Sequence, residues 1–264
     1  MTMVGTILMA PWMAAFPACA GDGSGDSGEA GAAVSAATEQ GMSDAVQEAP
    51  PNRLTAEEAA AGWTLLFDGT LAGWRGYRRA DTPAGWSIED GILTFTPGVG
   101  DGDLMTREQF GDFELALEWR IAEGGNSGIF YRATEAERAP YWTGPEFQIL
   151  HNEGHPDGRT PETSAGSNYA LHAPIEDVTR RVGEWNRVRI VLDGARVEHW
   201  MNDVKVVEYE LWTDEWRDLV ASTKFVDWPA YGMAHTGHIG LQDHGDPVWF
   251  RNVKIRVAPG GQGL

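Results

Sequence analysis

Residues 62–257 repeat one device: a short run of apolar, β-branched and aromatic residues closed by an Asp-Gly, Asn-Asp or Gly-rich turn. Phe-Glu-Leu-Ala-Leu-Glu-Trp-Arg at 113–120 alternates apolar and polar residues throughout, the pattern of a strand with one face buried and the other in water. Runs at 86–89 and 92–95 flank Asp90-Gly91, and runs at 188–192 and 196–201 flank Asp193-Gly194. Two-residue turns of this kind join antiparallel neighbours. Asn202-Asp203 leads into a further run at 204–209, and runs at 63–67, 238–242 and 248–257 complete the series. Helical periodicity is confined to 214–221 and to one or two turns over 54–61, with Thr55 as N-cap. Regular strands without βα alternation, and without an internal repeat, predict an all-β sandwich of antiparallel sheets.

The chain of 264 residues is 42% hydrophobic, enough for a sizeable core, and carries a formal net charge of −19. That charge gives phosphate backbones no electrostatic support, which excludes nucleic acid as a partner. Twelve Trp is a high count for this length; rings in excess of core needs are candidate sugar-stacking platforms. Residues 1–18 are apolar, too short to span a bilayer, and read as a signal-peptide core. They end at Phe16-Pro17-Ala18-Cys19, which resembles a bacterial lipobox whose Cys is lipidated. The expectation is export to the periplasm or outer membrane, with contact to the membrane only through a lipid on Cys19. Residues 20–53, rich in Gly, Ser, Ala and acids, cannot bury enough apolar surface to fold and read as a linker. The expected division is therefore a signal segment at 1–19, a linker at 20–53 and a folded domain at 54–259.

Gly-Pro-Glu-Phe-Gln-Ile-Leu-His-Asn at 144–152 is the stretch that points to chemistry. Glu146 and Gln148 share one face of a strand, and a β-bulge would turn His151 back to that face. The spacing resembles the Glu-x-Asp-x-x-Glu pattern of laminarinase-like sandwich glycosidases, with Gln and His in place of two carboxylates.

Three separated motifs carry a more specific resemblance: Gly-Gly-Asn-Ser-Gly-Ile-Phe-Tyr-Arg at 124–132, Pro-Glu-Phe-Gln-Ile-Leu-His-Asn at 145–152, and Gly-His-Ile-Gly-Leu-Gln-Asp-His-Gly at 237–245 with Val-Trp-Phe-Arg-Asn-Val at 248–253. Together with Trp-Thr-Leu-Leu-Phe-Asp-Gly-Thr at 63–70 and Glu-His-Trp-Met-Asn at 198–202, they resemble the 3-keto-disaccharide hydrolase domain family over roughly 62–258. The resemblance implies a concanavalin-like jelly roll with a concave sugar-binding face. It also implies a sugar substrate already oxidised at C3, a 3-keto di- or oligosaccharide or glycoside. A 3-ketone acidifies the C2 proton, so the glycosidic bond can break by elimination. That chemistry needs a base, an electrophile at the ketone and a leaving-group acid, not the spaced carboxylate pair of ordinary glycosidases.

Within that reading Glu146 is the first candidate for base, or for ligand of a divalent metal electrophile with His151 or His244; the structural alternative is a solvent-facing strand residue. Gln148 is assigned to hydroxyl recognition. His151 stands where the family commonly shows Asp. His244 and Asp243 end a strand as candidate acid, base or ligand, and Gln242 beside them is a substrate contact. Asn126 and Ser127 in the Gly-rich turn, Arg132 and Arg251 on neighbouring strands, and Lys224 as ketone polariser complete the polar set, with buried charge pairs as the alternative for the arginines. Tyr141, Trp142 and Tyr169 are the stacking candidates, because exposed loop aromatics call for a reason. His199 reads as a core histidine. Two rival functions remain at this stage: a non-catalytic glycan-binding module, and a retaining glycosidase that would need a second carboxylate near Glu146.

Overall fold

A computed structural model describes residues 50–258; the expected signal segment, the lipidation at Cys19 and the linker up to residue 49 lie outside the described residues. The strands are β1 (Thr64–Leu65), β2 (Trp74–Gly76), β3 (Trp86–Glu89), β4 (Ile92–Phe95) and β5 (Leu104–Thr106). Longer ones follow: β6 (Phe113–Ile121), β7 (Asn126–Ala133), β8 (Glu146–Leu150), β9 (Asn186–Asp193) and β10 (Arg196–Met201). The series ends with β11 (Val204–Glu210), β12 (His238–Leu241) and β13 (Val248–Val257). Two helices, α1 (Ala56–Ala60) and α2 (Asp214–Ala221), stand where the sequence puts them, capped by Thr55 and Thr213. Among the described residues no helix is long and apolar enough to cross a membrane.

Every strand pairing is antiparallel, as the Asp-Gly turns require. An eight-stranded sheet runs β11-β10-β9-β6-β13-β4-β3 with β1 on β13, and a five-stranded sheet runs β2-β5-β12-β7-β8. The alternation in β6 buries Phe113, Leu115, Leu117, Trp119 and Ile121, while Glu114, Glu118 and Arg120 face outward. Ile129, Tyr131, Phe147 and Ile149 belong to the same apolar core from the smaller sheet. Each such side chain contributes roughly 1.5–3 kcal/mol of transfer free energy, and truncating the Phe147 ring is expected to cost about 3–5 kcal/mol.

With odd-numbered residues of β8 committed to the core, Glu146 and Gln148 must lie on the outer face of the smaller sheet. His199 is fully buried beneath them. Its Nδ1 donates to the Gly166 carbonyl at 3.0 Å and its Nε2 accepts from the Tyr131 hydroxyl at 2.8 Å. Burial pushes its pKa down to about 3, so the ring is a neutral brace.

Four of the partly exposed Trp are covered by cations: Arg256 lies over Trp63 at 5.3 Å, Arg251 over Trp185 at 4.4 Å, Arg189 over Trp200 at 4.0 Å and Arg120 over Trp249 at 4.8 Å. A cation–π contact thus takes up a face of each of these rings. At the other end of the chain Asn52 and Asn252 exchange backbone-to-side-chain hydrogen bonds at 2.7 and 2.8 Å. The folded part thus begins ahead of residue 54, the boundary expected from composition.

Candidate active site

A cavity of about 270 Å³ opens on the outer face of the five-stranded sheet. Its floor is Glu146 and Gln148 from β8 with Asn126 from β7. Asp103 enters from the turn before β5, and Gln242, Asp243 and His244 from the turn after β12. The segment 224–231 supplies Lys224, Phe225, Trp228 and Tyr231 as one wall, with Tyr141 and Tyr169 beside them.

Glu146 occupies its place because of a glycine. Gly128 lies opposite Gln148 in the β7–β8 register, and a Cβ there would sit 2.0 Å from Glu146 Oε1. The last glycine of the Gly-Gly-Asn-Ser-Gly motif is therefore space for the carboxyl, and any side chain at 128 would displace it. Glu146 is 5% exposed. Burial pushes its pKa up to about 8; Lys224 opposes the shift, while Asp103 and Asp157 add to it. The Gln148 amide, oriented by its neighbours, donates to Glu146 Oε1 at 3.2 Å and to the Ser127 carbonyl at 3.0 Å.

Asp103 has a similar condition. Burial pushes it up to about 7, with the Asp243 N–H bound to its Oδ1 at 3.0 Å opposing and the Asp243 charge adding. Asp243 itself accepts from the Gly102 and Gly245 N–H groups at 2.8 and 2.9 Å, which clasps the two turns together. Lys224 Nζ lies 4.2 Å from the Tyr169 ring centre; burial lowers its pKa while Glu146 and Asp157 raise it. Three buried polar atoms of cavity residues have no hydrogen-bond partner: Asn126 Oδ1, Gln242 Oε1 and the Tyr231 hydroxyl. Buried polar atoms left unpaired in a native fold call for a ligand or water, and these are suited to sugar hydroxyls.

Nine expected residues meet at this cavity: Glu146, Gln148, Asn126, Gln242, Asp243, His244, Lys224, Tyr141 and Tyr169. Five do not. His151 stays away because β8 pairs with β7 in unbroken register from Glu146 to Leu150. No bulge reverses its direction, and its Nδ1 accepts from the Gly124 N–H at 2.9 Å. Ser127 is fully buried and donates to the Gln242 carbonyl at 2.8 Å. Arg132 is 2% exposed and donates to the carbonyls of Gly111 and Gly194 and to Asp112. Arg251 is on β13 in the other sheet, paired with Glu118 at 2.5 Å. Trp142 backs the wall from behind, stacked on Trp228 at 5.4 Å and 18°.

Among the described residues no three His, Cys, Asp or Glu side chains stand together as a group that could hold a metal ion. His244 lies at the exposed rim, 3.8 Å from Asp246. Asp103 and the 225–231 aromatics escaped sequence reasoning. Asp103 sits in an acidic Gly-rich turn with nothing to single it out. Trp228 and Tyr231, in contrast, lie in a non-periodic aromatic loop, Trp-Pro-Ala-Tyr-Gly, that could have been flagged as Tyr141 and Trp142 were.

A model of the 3-keto-alpha-glucoside-1,2-lyase-like domain matches residues 62–256. A 3-keto-disaccharide hydrolase of Bacteroides thetaiotaomicron is 38% identical, the match covering 75% of this chain and 79% of the relative. Two crystal structures of Parabacteroides distasonis proteins assigned as glycosyl hydrolases share the fold. One has a TM-score of 0.74 at 33% identity over 79% of this chain and 100% of its own. The other has a TM-score of 0.60 at 28% identity over 74% of this chain and 99% of its own. The extent of the domain match and the identity to the hydrolase agree: this chain belongs to the family of 3-keto-alpha-glucoside-1,2-lyase-like domains.

Proposed function

We propose that the chain is an exported carbohydrate hydrolase that cleaves the glycosidic bond of 3-keto-disaccharides and 3-keto-glycosides through elimination and rehydration. The observation that carries this reading is one cavity holding two carboxyls raised to about 8 and about 7 together with the Lys224 cation. Retaining hydrolysis uses one carboxyl kept ionised and one kept protonated. Here both are raised, which suits proton transfer at neutral pH and not a standing nucleophile.

Ionised Glu146 takes the C2 proton as negative charge moves to the ketone oxygen, which Lys224 faces. The enolate re-forms its carbonyl and expels the glycosidic oxygen from C1, and Asp103 protonates the departing oxygen. Water then adds to C1 of the enone, giving one proton to Asp103, while Glu146 returns its proton to C2. The sum is hydrolysis, with both carboxyls restored. Asn126 and Gln242 accept from ring hydroxyls, and Tyr141 and Trp228 give the sugar or aglycone an apolar face. Export rests on the apolar run that ends at Cys19.

Incubating the full chain with a 3-keto-disaccharide and with its unoxidised parent, each with and without EDTA, tests this reading. Cleavage of the ketone alone, surviving EDTA, is expected. Cleavage of the parent contradicts it, and binding of either sugar without cleavage identifies a glycan-binding module instead.

A further inference from the structure

Elimination from a 3-keto sugar gathers negative charge on the ketone oxygen, and a site for it should present hydrogen-bond donors fixed in advance. The unpartnered oxygens of Asn126 and Gln242 are acceptors and cannot serve that oxygen. Among the donors that line the cavity are Lys224 Nζ, the only ammonium, and the Tyr231 hydroxyl, which is buried with no hydrogen-bond partner.

Tyr231 is built as a rigid donor. Its ring is 2% exposed and clamped between two parallel rings, Phe225 at 4.1 Å and 11° and Trp216 at 6.0 Å and 11°. The turn that carries it is pinned on both sides. Gly232 N–H donates to the Thr143 carbonyl at 2.8 Å, and the Trp212 indole donates to the Gly232 carbonyl at 2.9 Å. Gly232 adopts φ 68°, and a Cβ there would lie 2.4 Å from Trp216, so only glycine lets the turn rest on that ring. Burial holds the Tyr231 hydroxyl well above the usual tyrosine range, with Tyr209 and Glu146 adding to the shift, so it keeps its proton. Lys224 Nζ lies 5.5 Å from the centre of the same Phe225 ring that stacks on Tyr231.

We propose that the Tyr231 hydroxyl donates to the substrate's ketone oxygen and, with Lys224, stabilises the enolate that forms when Glu146 removes the C2 proton. The bound ketone supplies the partner that this hydroxyl lacks, and the bond strengthens as charge develops, which is the condition for lowering the barrier and not merely KM. This assignment rests on the ketone chemistry proposed above.

The test separates deprotonation from bond cleavage. A 3-keto C-glycoside has carbon in place of the glycosidic oxygen, so nothing can be expelled, yet its C2 proton can still exchange. In D2O, the full-length wild-type chain should speed loss of the C2 proton signal over the rate without protein. Tyr231→Phe, which keeps the stacked ring, should slow both this exchange and kcat on the 3-keto-disaccharide by about 10²–10³-fold, with KM and the thermal melting curve little changed. Exchange at the wild-type rate overturns the assignment. A Tyr231→Phe chain that fails to fold also overturns it, because the hydroxyl is then structural. A wild-type chain that neither exchanges nor cleaves overturns the ketone reading itself, and Tyr231 falls with it.

Discussion

Glu146→Gln is expected to lower kcat/KM by roughly 10²–10⁴-fold, the usual contribution of a positioned base, while making the domain more stable at alkaline pH. The two effects share a cause. Glu146 titrates near 8 in the fold against an ordinary value of 4.5, so between those values the unfolded chain releases a proton that the folded chain keeps. Stability from this residue is complete below about pH 4.5 and falls as pH rises. Above about pH 8 the buried charge costs on the order of 5 kcal/mol. Gln carries no charge, and its side-chain oxygen can still accept from the Gln148 amide as Glu146 Oε1 does. Urea unfolding at about pH 5 and about pH 9 should show the variant matching the wild type at the lower pH and exceeding it at the higher. Full activity in Glu146→Gln removes the base from the mechanism.

The pH dependence of kcat/KM should be a narrow bell with its maximum between about 7 and about 8. Catalysis requires Glu146 ionised and Asp103 protonated, yet Glu146 is raised to about 8 and Asp103 to about 7. The productive form is therefore a minority at every pH, and activity falls on both sides. The two limbs belong to the pair and not to either residue alone, because the carboxyls are electrostatically coupled. Loss of the Lys224 charge at higher pH acts in the same direction as loss of the Asp103 proton. For a substrate with a good leaving group, which needs no acid, Asp103→Asn should shift the alkaline limb to higher pH and leave only the part set by Lys224, while cleavage of an ordinary disaccharide is suppressed. A profile that rises steadily through pH 9 would remove Asp103 from the acid's role.

The sandwich was legible because each strand states its own environment. Alternation in β6 and the Asp-Gly turns report burial and chain reversal locally, and neither depends on what lies across the core. The same parity put Glu146 and Gln148 on one face. It failed at His151, where a bulge was required and the unbroken β7–β8 register supplies none. Arg132 and Arg251 were ambiguous because an arginine on a strand can meet either a ligand or a carboxylate. Only the fold decides, by bringing Asp112 and Glu118 to them. Asp103 was invisible for a similar reason. Its perturbation comes from burial and from Asp243, 140 residues later in the chain, and no local pattern encodes that meeting. Gly128 carried a signal that sequence alone could not interpret, since the space it leaves is filled by a side chain from the next strand.

Removal of the C2 proton is the central chemical claim, and an isotope at that position tests it directly. The cleavage rate should be compared for a 3-keto-disaccharide carrying protium at C2 and one carrying deuterium there. A primary isotope effect, with clearly slower cleavage of the deuterated sugar, is the predicted result. Equal rates, with deuterium retained at C2 in the freshly released 3-keto sugar, would contradict it, because the bond would then be breaking by displacement at C1.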